Sequence, residues 1–165
     1  MTPSNLPPPP LAPLLPLLAE EPALRAVIGR EPVVAVADPA RALFVAALAR
    51  ASTRRPIVVA VSSRTDADRL VHDLARFLPA DSVEEFPAWE TLPFERVSPS
   101  VETMGRRLRV MWRLRSGAWP AVLVAPVRAL VQRLGPHVGE VEPVVARPGT
   151  HLDRDGLVAG LVAMG

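Results

Sequence analysis

Two runs of small and β-branched apolar residues, PVVAVAD at 32–38 and RPIVVAVSS at 55–63, each precede a stretch with helical periodicity. This alternation constrains the fold more than any other feature of the chain. An uninterrupted apolar run of strand length fits a strand covered on both faces, because a face left to water would carry alternating polar residues. After the first run comes PARALFVAALARAS, with Leu43, Ala47 and Leu48 on one helical face. After the second comes RTDADRLVHDLARFLP, with Leu70, Leu74 and Phe77 as its apolar stripe and Thr65 or Asp66 as its cap. Successive strand–helix units require parallel strands joined by right-handed crossovers. The spacing predicts a third short strand in DSVEEFP (81–87) and a fourth at Ala121–Ala125, followed by a short helix. The expected fold is therefore α/β, an open parallel sheet flanked by helices, of the nucleotide-binding type.

Around this core, residues 1–20 carry a proline run at Pro7–Pro10 and are expected to form a flexible lead-in, with a short helix from Glu21 to Gly29 after it. The lead-in has no positive leading segment and is broken by proline, so it reads neither as a signal peptide nor as a membrane span. A longer helix begins near Ser100 and ends at Gly117, with Met104, Leu108, Met111 and Trp112 on one face and Arg106, Arg107, Arg109, Arg113 and Arg115 around it. The composition changes near Pro136, so residues 21–135 read as the main domain and 136–165 as the start of an incomplete second α/β domain, with a strand at Val141–Ala146 and a helix at Asp153–Met164.

Several chemistries are excluded by residue type. All nineteen basic residues are arginine, so neither a Schiff base nor a phosphate-loop lysine can form. There is no cysteine, hence no disulfide, thiolate nucleophile or thiolate metal site. His72, His137 and His151 show no ligand spacing. The net charge of +2 does not by itself identify a nucleic-acid binder. At the first strand–helix turn, AVADPARAL, a phosphate loop would need glycines, a lysine and a hydroxyl residue. Asp38, Pro39 and Ala40 stand in the glycine places, Arg41 in the lysine place and Ala42 in the hydroxyl place. Proline lacks an N–H and Asp38 repels phosphate, so this turn is expected neither to bind nor to hydrolyse ATP. Glu84, Glu85 and Glu90 suggest no acid–base pair, and Ser62 and Ser63 form no nucleophile elbow.

The remaining feature is FPAWETLPFERVSPSVETMGRRL, which gathers a tryptophan, two phenylalanines and three prolines ahead of an arginine-rich helix. Phe86, Pro87, Trp89, Glu90, Leu92, Pro93, Phe94, Ser98 and Pro99, then Arg107 and Leu108, together with VLVAPVRALVQRL after them, resemble the amino-terminal part of the bacterial transcription-repair coupling factor (Mfd) family from about residue 20 onward. The resemblance implies a module similar to the excision-repair protein UvrB, built on a helicase-type core that has lost its nucleotide site. In UvrB the matching region carries a hairpin that probes damaged DNA, and 86–107 is too short for one. The loop of Trp89 and Phe94 is then a structural cover over the carboxyl edge of the sheet, or a contact surface for another domain or protein, or a platform for single-stranded DNA. Arg106, Arg107 and Arg109 either meet phosphate or form a solvated, acid-paired face.

For the parent protein the resemblance implies an ATP-driven translocase on duplex DNA that displaces RNA polymerase stalled at lesions and recruits UvrA for nucleotide excision repair in the bacterial cytoplasm. ATP and magnesium then belong to translocase domains outside this segment. The segment itself is expected to have no catalytic residue, cofactor or metal, and to act as a scaffold truncated from a longer chain. The resemblance makes residues 136–165 the truncated start of the UvrA-binding domain; contacts with UvrA and polymerase run mostly through parts beyond the segment, the parent's other domains are further partners, and no membrane is involved. The alternative is a free-standing α/β enzyme that binds a nucleotide or phosphate.

Overall fold

The computed structural model describes residues 8–29, 33–91, 98–134, 148–149 and 153–163. Its centre is a parallel sheet of three strands, β1 (Ile57–Val61), β2 (Val83–Glu85) and β3 (Val122–Pro126), in the order β1-β3-β2. Ile57 lies opposite Val122 on one side of β3, and Val83 lies opposite the same residue on the other. Every residue of β3 is buried, as its central place requires. In β1, by contrast, Val58 and Ala60 are exposed, so its unbroken apolar run belongs to an edge strand with one uncovered face. Beyond β2 the Phe86 N–H donates to the Val124 carbonyl at 2.8 Å, carrying the ladder one step further.

The expected first strand is not formed among the described residues. Residues 33–37 run outside the sheet, with Val33 84% exposed, and close into a single 3-10 turn at Asp38–Ala40. β-branched residues fit an extended backbone, but a strand exists only when a neighbour takes up its backbone groups, and none does here. The lead-in also departs from expectation. Residues 12–18 form a 3-10 helix whose Leu15 is buried in the core, and Leu11 N–H donates to the Arg76 carbonyl at 2.9 Å. Pro13, at the start of this helix, removes only an N–H that would lack a partner anyway, and Pro16 inside it forgoes a single donor, so Leu15 between them remains able to pack.

Helices cover both faces of the sheet. On one face lie α1 (Pro22–Ile28), α2 (Arg41–Ala51) and α3 (Arg64–Leu74), whose Leu24, Ala46 and Leu74 share a core with Val122 and Val124. α2 is alanine-rich, and Ala46, Ala47 and Ala49 are nearly inaccessible, which lets its backbone approach closely. The cap of α3 is neither Thr65 nor Asp66 but Ser63, whose Oγ accepts from Asp66 N–H at 3.1 Å. Asp66 sits one turn in, where its carboxylate reaches back to the Ser62 and Ser63 hydroxyls.

On the other face, α4 (Val101–Arg115) and α5 (Val127–Val131) pack Val110 and Ala129 against Phe86, Leu123 and Ala125. Ser100 caps α4 by accepting from Thr103 N–H at 3.1 Å, and Gly117 follows it with φ +76°, the left-handed geometry of a helix stop. Its inward side is not the expected stripe: Met104 is exposed, while Thr103, Arg107 and Val110 are buried. The chain divides into two units, Met1–Arg133 and Leu134–Gly165. In the second, α6 (Arg154–Ala163) starts where Gly156 N–H donates to the Asp153 carboxylate at 3.1 Å; the strand expected at Val141–Ala146 lies outside the described residues.

Candidate functional site

Every strand of a parallel sheet delivers the residues after it to the same edge, and in open α/β sheets that carboxyl edge is where ligands bind. Here it receives Ser62, Ser63 and Arg64 from β1, residues 86–91 from β2, and Arg128 from β3. The strap at 86–91 is fixed at four points. Its first residue continues the ladder to β3. The Arg107 Nη1 donates to the Pro87 carbonyl at 2.7 Å. Trp89 N–H donates to Gln132 Oε1 at 2.8 Å, while Gln132 Nε2 donates weakly to the Trp89 carbonyl at 3.5 Å, so a side-chain amide grips the strap on both sides. Finally the Glu90 carboxylate accepts from the Ser100 hydroxyl at 2.9 Å and from the Thr103 hydroxyl, joining the strap to the first turn of α4.

Arg107 lies inside this arrangement, 2% exposed, with its guanidinium carbon 4.1 Å from the Phe86 ring centroid and 4.4 Å from that of Trp89. Two aromatic faces on one cation exploit the ring quadrupole where water is excluded. Burial lowers the Arg107 pKa, though a guanidinium remains charged at neutral pH. Its Nε and Nη2, like Glu85 Oε1, are buried with no hydrogen-bond partner among the described residues. Arg107 is therefore not presented to a phosphate at the surface, which corrects its reading as a DNA contact. Arg106 ion-pairs with Glu85 at 2.9 Å and Glu102 at 2.8 Å, and Arg109 with Glu84 at 2.9 Å. Arg113 joins the same Glu84 at 2.7 Å, so the arginine-rich helix turns its charge toward β2.

The acids of this region titrate according to their partners. Hydroxyl bonds from Thr103 and then Ser100 hold the Glu90 pKa down to about 2. The Ser62 and Ser63 hydroxyls lower that of Asp66. Desolvation raises that of Glu85, with Asp68 adding repulsion and Arg106 opposing it. Leu92, Pro93 and Phe94 lie outside the described residues, Ser98 and Pro99 lead into α4, and Leu108 is half-buried on it. Two residues of the edge carried no signal in the sequence: Gln132, a lone amide after a five-residue helix, and Arg128, whose place at the edge depends on where β3 ends.

The turn at residues 38–42 lines a separate shallow cleft of about 100 Å3 with Asp66, Arg69 and Asp73. The Arg41 guanidinium is tied to Asp38 at 2.5 Å. Pro39 has no N–H, Ala40 N–H is spent on the Ala37 carbonyl and Arg41 N–H on that of Asp38. Three carboxylates against two guanidiniums make the cleft acidic, so neither backbone nor charge offers a phosphate cradle there. Among the described residues no group of three or more His, Asp or Glu could hold a metal ion, and no helix is long and apolar enough to cross a membrane.

Fold and site together define a class: a helix-flanked parallel α/β domain whose turn at residues 38–42, ahead of α2, lacks a phosphate cradle. No family model matches the chain. It is, however, 39% identical over 131 residues to the transcription-repair-coupling factors of Mycobacterium tuberculosis and Mycobacterium bovis, matching 76% of this chain and 10% of theirs. Identity is 32% over 127 residues with that of Bacillus subtilis, covering 76% of this chain and 11% of the relative. With that of Escherichia coli it is 31% over 111 residues, covering 67% and 10%. The chain belongs to the transcription-repair coupling factor family, and its matches span about a tenth of these bacterial relatives.

Proposed function

We propose that this chain forms the amino-terminal, UvrB-like scaffold module of a transcription-repair coupling factor, and that it is non-catalytic. The relatives' shared name supports a parent that couples transcription to repair; in this reading the parent is an ATP-dependent translocase on duplex DNA that removes RNA polymerase stalled at lesions and recruits UvrA for nucleotide excision repair. In this reading ATP and magnesium are bound by other domains of the parent, which also carry most of the contacts to polymerase and UvrA. The observation that supports a non-catalytic module is the turn at residues 38–41, where Pro39 lacks an N–H, the next two N–H groups are consumed locally and Arg41 is neutralised by Asp38. A helicase-type core deprived of its phosphate cradle keeps its packed sheet, and a packed sheet is what a scaffold needs.

Calorimetric titration of the chain with ATP and magnesium tests this reading. No saturable heat and no phosphate release are expected. Saturable binding that Arg41→Ala abolishes would instead favour a free-standing nucleotide- or phosphate-binding enzyme.

A further inference from the structure

The carboxyl edge holds a second cavity, of about 270 Å3, lined by Ser62, Ser63, Arg64, Trp89, Glu90 and Arg128 among others. All three strands contribute to it, each through the residues that follow its last ladder position. Trp89 is the residue of the strap that Gln132 holds by its backbone, so its indole stands on an anchored support rather than on a loose loop. Arg128 is exposed and has no ion-pair partner among the described residues, and the contact of Arg64 to Asp68 is long, 3.9 Å. The nearby acids are engaged: Asp66 by the Ser62 and Ser63 hydroxyls at 2.5 and 2.7 Å, and Glu90 by Ser100 and Thr103. Two guanidiniums against one carboxylate leave the lining positive.

We propose that this cavity binds one nucleotide of a single-stranded nucleic acid, its base against the Trp89 indole and its phosphodiester between Arg64 and Arg128. A flat π surface beside one exposed cation and one held only by a long ion pair is the combination that single strands require, since any base can stack and every nucleotide brings a phosphate. The volume fits one unit of a strand that continues into solvent, because sites that enclose a whole small molecule run to roughly 300–1,000 Å3. Duplex DNA does not meet the requirement, because its bases are stacked on each other and cannot reach a recessed indole. This places nucleic-acid contact away from the arginine-rich α4, whose Arg106, Arg109 and Arg113 are paired with Glu84, Glu85 and Glu102. The chemistry of the cavity stands independently of the scaffold role proposed above.

The test is fluorescence anisotropy of labelled short thymidine and uridine oligomers titrated with the full chain across a salt series. Neutralising the one phosphate of a single strand gives a slope of log K against log salt of about −0.7, and losing either arginine should flatten it toward zero. Arg128→Ala and Arg64→Ala are each expected to weaken binding roughly tenfold at low salt with an unchanged circular dichroism spectrum. Arg109→Ala is expected to leave binding unchanged. Preference for thymidine or for uridine oligomers identifies DNA or RNA as the source, and either supports the site. The proposal is overturned by absence of saturable binding at low salt, by equal affinity for duplex, or by an Arg109→Ala loss as large as that of Arg128→Ala. Displacement of the oligomer by inorganic phosphate or by an acidic peptide at comparable concentration also overturns it, since either would leave an anion site without base recognition.

Discussion

Replacing Arg107 by alanine should unfasten the strap. Its hydrogen bond to the Pro87 carbonyl is charge-assisted and worth about 1.5–3 kcal/mol. The two desolvated ring contacts contribute about 1–2 kcal/mol each. The buried stem beyond Cβ adds about 0.8 kcal/mol for each of two methylenes. Against these stand Nε and Nη2, buried without partners, each costing about 1–3 kcal/mol that the truncation removes. The balance of these contributions is a loss of about 3 kcal/mol. Arg107→Met keeps most of the stem and forgoes the charge together with its unmet donors, so its loss should be about 1 kcal/mol. Urea denaturation of both variants, followed by tryptophan fluorescence and circular dichroism, reads the difference as a shift in midpoint at constant slope. An alanine variant within about 1 kcal/mol of the parent sequence would refute the reasoning, because it would mean that neither the stem nor the cation holds Phe86 and Trp89.

Three other outcomes follow from neighbouring contacts. Gln132→Ala should cost about 1–2 kcal/mol and speed amide exchange at Trp89 selectively; unchanged exchange there would show that the Gln132 amide does not grip the strap. Glu90 has a folded pKa below its ordinary value, so its contribution is fully present above about 4.5 and is lost only as pH falls through about 2. The Ser100 and Thr103 resonances should accordingly stay native between these values and shift at the lower end, whereas a transition near the ordinary carboxylate pKa would contradict the clasp. Val58→Lys, at a position 54% exposed on the open edge strand β1, should change stability by no more than about 0.5 kcal/mol while lowering light scattering at high concentration. A large destabilisation would mean that this face is covered.

Much of the fold is legible along the chain because its signals are local. The helices at Arg41–Ala51, Arg64–Leu74 and Val101–Arg115 follow from their periodicity, and Ser100 and Gly117 mark the ends of the longest. The apolar runs at Ile57–Val61 and Val122–Pro126 are strands as their composition requires. The turn at Asp38–Ala42 is recognisable as lacking a phosphate cradle from residue type alone, since proline has no N–H wherever it stands. Sequence pattern misleads where a residue's role depends on a neighbour distant in the chain. Residues 33–37 and 57–61 carry the same apolar signature, yet only the second finds a ladder partner. An arginine in a helix normally marks the wet side, so Arg107 pulls the apparent stripe of α4 away from the face that is buried.

What the sequence by itself determined is the longer helices, the strands that do form and the chemistry that its residue types exclude, because propensity, proline geometry and missing side-chain types act within a few residues. The tertiary structure alone decided the order of the strands, which leaves β1 an edge and β3 central although both read as buried. It also decided that the guanidinium of Arg107 is enclosed while that of Arg128 is exposed, two arginines indistinguishable in sequence. The reason is physical: burial and pairing are set by what the folded chain brings within a few ångströms, and the groups meeting at this sheet edge are separated by 43 residues between Trp89 and Gln132 and by 20 between Pro87 and Arg107.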